Sequence, residues 1–166
     1  MNDTLLELYR HKTWATLQLI EFCAKLSDDE LAATTPGTYG NVRDTLRHLV
    51  GAEQRYYTRV TGGDVDTLAE PGSSLDELAE RIRQLGPEWE RLAEDEQAAR
   101  RQVVTKDGWR IPAAVVMAQA IHHADDHRTH VLSVLSAIGI EGPDLDVWSY
   151  AEAAGQNAGA VASSTQ

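Results

Sequence analysis

The chain has 166 residues, enough for one domain with a real core, and its 42% apolar and 25% charged residues suit a globular protein rather than a disordered one. Its formal net charge of -11 repels phosphate backbones and anionic lipid surfaces, which argues against nucleic acid and membrane partners. No apolar run approaches the ~20 residues of a membrane-spanning helix, and the acidic, polar start MNDTLLELYRHKTW is unlike a signal peptide.

Residues 4–26 read as a first amphipathic helix, with Leu5, Leu8, Trp14, Leu17, Ile20 and Cys23 at helical spacing. Cys23 is the single cysteine, so it has no internal disulfide partner, and its apolar context predicts a buried, inert thiol in a reducing cytoplasm. The run from Ser27 to Glu30 reads as a capping box opening a short helical turn. The stretch from Thr34 to Gly40 has loop chemistry, and Asn41 caps a second helix that runs to about Val60 and stops at Gly62-Gly63. Val42, Leu46, Leu49, Glu53, Tyr56 and Val60 share one face of it.

A polar linker from Asp64 to Ser74 follows. Ser73 or Ser74 caps a third helix over about 75–98, whose inner face holds Leu78, Ile82, Leu85, Trp89 and Leu92, with a kink expected at Gly86-Pro87. Residues 101–111 carry β-branched residues either side of Asp107-Gly108, which predicts a small hairpin or extended loop. Pro112 suits the first position of a fourth long helix ending near Ile138 and Gly139, and Leu145 to Ala154 form one more short helix. The expected organisation is one all-α bundle domain over 1–154 and a polar tail over 155–166, frayed or disordered.

Three of the six histidines stand out. On a helical wheel the fourth long helix has an apolar stripe of Val116, Ala120, Ala124, Val131, Val134 and Ile138, with Met117 and Leu135 on its shoulder. His127 falls within the stripe and His123 at its edge, while His122 and Asp125 point to solvent. His130 lies near His123 on the wheel. Imidazoles at i and i+4 rise side by side, the spacing at which two nitrogens meet one metal ion. The same pair also suits ordinary core or surface groups. A third ligand must come from another helix. His48 is the leading candidate although the wheel puts it beyond the edge of its apolar stripe, and His11 is weaker. Asp126 reads either as a group orienting a ligand or as a solvated helix charge.

The segments GTYGNVRDTLRHLVGAEQRYYTRVTG, DGWRIPAAVVMAQAIHHADDHRTHVLSVLSAIG and DLDVWSYAEAAG together resemble the DinB-like (YfiT-like) superfamily of small metal-binding bundles. The resemblance implies an up-up-down-down four-helix bundle, a homodimer, and a metal site in which Arg47-His48-Leu49 supplies one ligand and His123 and His127 the other two. Arg128 matches that family's usual arginine after the last ligand. Thr129-His130 stands where Gly-Gln is common, and Asp126 where a histidine is commoner. Gly108-Trp109 and Trp148-Ser149-Tyr150 also match, and tryptophans so placed are expected to pack as lids on the core.

All-imidazole ligation favours zinc or nickel, and three protein ligands leave positions open for water or substrate. Relatives implied by the resemblance include S-transferases and isomerases that use a low-molecular-weight thiol such as mycothiol or bacillithiol. The expected function is therefore a metal-dependent enzyme activating a thiol or water toward a small-molecule substrate. His130 or Asp126 would handle protons or orient ligands, and Glu53 would be a buried general base or one half of a helix-end ion pair. The alternative is a dimeric, stress-associated protein that binds metal or a small ligand without turnover.

Overall fold

Local capping chemistry sets where the helices begin. The structure, a computed structural model, describes residues 3–63, 72–105 and 107–156. Helix α1 spans Asp3–Cys23. The short α2, Asp28–Leu31, opens on a complete capping box in which the Ser27 and Glu30 side chains each accept the other's backbone N–H. Helix α3, Val42–Thr61, begins where Asn41 accepts the Asp44 N–H at 2.7 Å and ends at Gly62, whose φ of 77° is left-handed. Helix α4, Leu75–Glu94, opens on a second capping box, Ser74 with Glu77.

Helix α4 stops about four residues before its expected end. The Asp95 carboxylate accepts the Gln97 N–H at 2.9 Å, a local bond that competes with the helical ladder, and the chain passes into a 3-10 turn at Ala98–Arg100. Helix α4 continues through Gly86-Pro87. Gly86 serves close packing: a Cβ there would lie 2.6 Å from Thr13 Cγ2 on α1. The expected hairpin forms between β1, Gln102–Val104, and β2, Arg110–Pro112, antiparallel with Val103 opposite Ile111. Helix α5, Ala113–Ala137, follows directly, and α6, Val147–Ala153, is capped by Asp146. The linker residues 64–71 and the tail residues 157–166 lie outside the described residues.

Two core clusters give the direction of each helix. One joins Leu19, Ile20 and Cys23 at the end of α1 with Val42 and Leu46 at the start of α3, Leu78 and Ile82 in the first half of α4, and Val131 and Val134 late in α5. The other joins Leu6 and Tyr9, Val60, Trp89 and Leu92, and Val116 and Met117 from the opposite ends. Helices α1 and α5 are therefore parallel, and α3 and α4 run against them. Along the chain the order is up, down, down, up. The expected up-up-down-down arrangement appears only on walking round the bundle, where α1 packs chiefly on α4 and α3 chiefly on α5. Among the described residues no helix is long and apolar enough to cross a membrane.

The inner face of α1 differs from the expected one. Leu8 is 38% exposed, while Tyr9, Lys12, Thr16 and Leu19 are buried. The cause is charge pairing across the bundle. Lys12 is fully buried and pairs with Glu53 of α3, itself 2% exposed. The Lys12 ammonium also lies 5.5 Å and 5.2 Å from the ring centres of Tyr9 and Trp89. Burial pulls the Lys12 pKa below its ordinary value, and the Glu53 carboxylate works against that pull. Glu53 is thus half of an ion pair at mid-bundle rather than at a helix end.

Removing one partner of such a pair strands the other charge. Lys12→Met is expected to lower stability by about 3–5 kcal/mol, and a Lys12→Met/Glu53→Leu double variant to recover most of it. Urea unfolding of the three proteins measures this. A single variant as stable as the parent would show that the pair contributes nothing.

Candidate metal centre

Helix α5 sets two of the three histidines. Arg128 is buried and turns toward α1, donating from Nη1 to Thr16 Oγ1 at 2.9 Å and to the Lys12 carbonyl at 3.3 Å, and it pairs with Asp125. With residue 128 facing α1, residues 123 and 127 face α3. There they meet His48, which sits between Arg47, bonded from Nε to the Ser73 carbonyl at 3.0 Å, and the core residue Leu49.

His48, His123 and His127 each offer one nitrogen, and the three nitrogens lie within 4.8 Å of one another. His48 Nε2 and His123 Nε2 are 3.1 Å apart. Two nitrogens bound at roughly 2.0–2.1 Å to a tetrahedral ion stand about 3.3 Å apart, so the spacing fits shared ligation. The chemistry of the donors fits as well. Burial, with the neighbouring imidazoles adding to it, lowers the His123 and His127 pKa values to about 4, and burial with the Arg55 charge lowers His48. Neutral imidazole is the ligating form. His127 Nδ1 is moreover buried without a hydrogen-bond partner among the described residues.

The other residues singled out from sequence fall differently. His130 is half-buried, its ring 5.4 Å from that of His127 and its Nδ1 also buried without a partner among the described residues. Asp126 is exposed and pairs with His122 at 3.2 Å, away from the histidine trio, although its charge favours protonation of His123 and His127. Glu53 is held by Lys12. His11 is bound through Nε2 to the Leu145 carbonyl at 2.7 Å, outside the trio. Trp109 and Trp148 are exposed and do not cover the core as expected: Trp109 follows the hairpin glycine, and Tyr150 is the α6 residue that turns inward.

Three further residues border the site that the sequence does not assign to it: Tyr56 figures there only as part of the apolar face of its helix, and Tyr39 lies in a loop without periodicity. Tyr39, in the loop before α3, stacks on His48 with ring centres 4.1 Å apart and meets His127 edge-on at 4.9 Å. Tyr56 meets His123 edge-on at 5.5 Å. Arg55, two turns beyond His48, is exposed and acts on His48 and His123 through its charge.

A family model described as the DinB family matches residues 1–160. The chain belongs to the DinB family. No curated protein matches it. Among solved structures it is similar to a DinB-like protein from Bacillus cereus ATCC 10987, at 17% identity and a TM-score of 0.65, with 86% of this chain and 96% of that one covered. At that identity the likeness establishes the shared helical fold.

The depressed histidine pKa values set a pH dependence in the metal-free protein. The unfolded chain takes up protons below pH 6.5, and the folded site refuses them until about pH 4, so stability is complete above 6.5 and is lost as pH falls toward 4. Thermal unfolding of chelator-treated protein at about pH 7, 6 and 5 should show a falling midpoint, flatter in a His123→Ala/His127→Ala variant. Identical slopes in the two proteins would remove the histidines as the cause.

Proposed function

We propose that this DinB family protein is a metal-dependent enzyme that activates a low-molecular-weight thiol, or water, for reaction with a small-molecule electrophile. The observation that carries the reading is the convergence of three neutral imidazoles, His48, His123 and His127, from two helices onto one place. A divalent ion held there, zinc or nickel by the donor set, supplies Lewis acidity that makes a bound thiol or water nucleophilic near neutral pH.

The chain's own groups divide the remaining work. Burial keeps the three imidazoles unprotonated, so the proton lost by a thiol or water needs a separate acceptor. Of the three candidates we assign that role to His130, whose ring lies beside His127 and whose Nδ1 has no partner among the described residues. Glu53 is committed to Lys12, and Asp126 to His122, from which it tempers the histidines by charge alone. Tyr39 and Tyr56 flank the ligands and give the site aromatic walls. The reading includes a cytoplasmic location, in keeping with a lone buried thiol, and a homodimer.

Metal analysis of chelator-free protein is the first test, with about one zinc or nickel per chain expected. His123→Ala and His127→Ala should each abolish tight binding, while His122→Ala, exposed and paired with Asp126, should retain it. Equal loss in all three variants would defeat the assignment to one helix face. Loaded protein should then consume a thiol with an electrophilic acceptor, with turnover lost in His48→Ala. Stoichiometric metal without turnover would assign the protein to metal or ligand binding instead. Light scattering should give twice the 18.3 kDa chain mass, and a monomer would remove the dimer from the reading.

A further inference from the structure

Tyr39 is presented by a loop held by several local contacts. Gly37 has a φ of +87°, which suits glycine, and Thr38 Oγ1 donates to the Thr35 carbonyl at 2.8 Å. The Val42 N–H reaches the Ala33 carbonyl at 3.3 Å, and Asn41 caps α3 immediately after. The loop therefore leaves α2 and enters α3 along a tied path, with Tyr39 placed over the first turns of α3. Its ring is nearly parallel to that of His48, at 24°, and perpendicular to that of His127, at 88°.

The polar end of Tyr39 is aimed as well. Its Oη lies 2.9 Å from His48 Nδ1, while Nε2 on the other side of that ring faces His123. A neutral imidazole carries one proton on its two nitrogens. With the proton on Nδ1, His48 donates to Tyr39 Oη and turns the Nε2 lone pair toward His123 and His127. With the proton on Nε2, the Nδ1 lone pair accepts from the tyrosine and an N–H points into the site. A cation can use only the first arrangement, and the phenol oxygen is the group that receives the Nδ1 proton in it.

We infer that Tyr39 is a positioning residue that holds His48 as an Nε2 ligand and so sets the metal affinity of the site. This rests on the metal-binding reading above. The tyrosine is 51% exposed, so its hydroxyl can be removed without opening the core. Tyr39→Phe keeps the ring stacked on His48 and deletes only the acceptor of the Nδ1 proton.

The test is zinc competition against a chromophoric chelator, run on wild type and Tyr39→Phe, with thermal unfolding of both metal-free proteins alongside. Expected is a 10–100-fold weaker zinc affinity in Tyr39→Phe with the same metal-free unfolding midpoint. Tyr39→Ala, which also loses the stacked ring, should bind at least as weakly. Wild type that binds zinc tightly and Tyr39→Phe that binds it equally well would overturn the inference and leave the metal reading standing. A drop in the metal-free midpoint that accounts for the lost affinity would reassign Tyr39 to loop folding and also overturn it. Wild type that binds no zinc would take down both.

Discussion

The rotation of α5 about its own axis is the constraint on which the site depends. Arg128 is a charged residue in a buried position, and it is held there by Thr16, the Lys12 carbonyl and Asp125. Successive helical residues are turned by about 100°, so anchoring residue 128 against α1 leaves 127 no choice but the α3 side. The histidines thus owe their aim to a contact made on the far side of their helix. Lys12 links the two halves of the arrangement: its backbone carbonyl receives Arg128, and its side chain crosses the bundle to Glu53 on α3, the helix that carries His48.

That polar centre is an unusual use of interior space. Buried charges are retained in proteins only where partners satisfy them, and here the satisfaction is nearly closed: Lys12 by Glu53 and two aromatic faces, Arg128 by a hydroxyl, a carbonyl and a carboxylate. An all-apolar centre allows helices to slide or turn at little loss. Directional partners do not, and the pairings between α1, α3 and α5 each require a particular register. One set of polar groups is thus committed to the frame, while the histidines face one another and include a nitrogen, His127 Nδ1, with no partner among the described residues.

What could be read from the residues follows the range of the interactions involved. Caps at Ser27, Asn41 and Ser74 and the stops at Gly62 and Gly139 act within a few residues, so the helices begin where the sequence suggests. The His123–His127 spacing is equally local. The inward face of α1 is not legible in the sequence, because Lys12 and Thr16 count as polar until a partner 41 residues away turns Lys12 inward. His48 is marginal on the wheel because it lies at the seam between α3 and α5 and not on the core stripe, and it is the family resemblance that points to it. Tyr39 belongs to a loop without periodicity, and its role exists only once that loop folds back over α3.

The position of Cys23 bears on the thiol-dependent reading proposed above. Its thiol is fully enclosed among Leu19, Ile20, Val42 and their neighbours, and burial pushes its pKa up to about 12. As the only cysteine in the chain, it is the only side-chain thiol the protein has, and it is held protonated and out of reach. The protein therefore cannot poison its own histidine cluster with a thiolate, cross-link to a neighbour under oxidation, or be capped by a disulfide reagent while folded. Any sulfur that arrives at the histidines is a visitor, which leaves the supply of thiol in the surrounding medium as the quantity that would meter such chemistry.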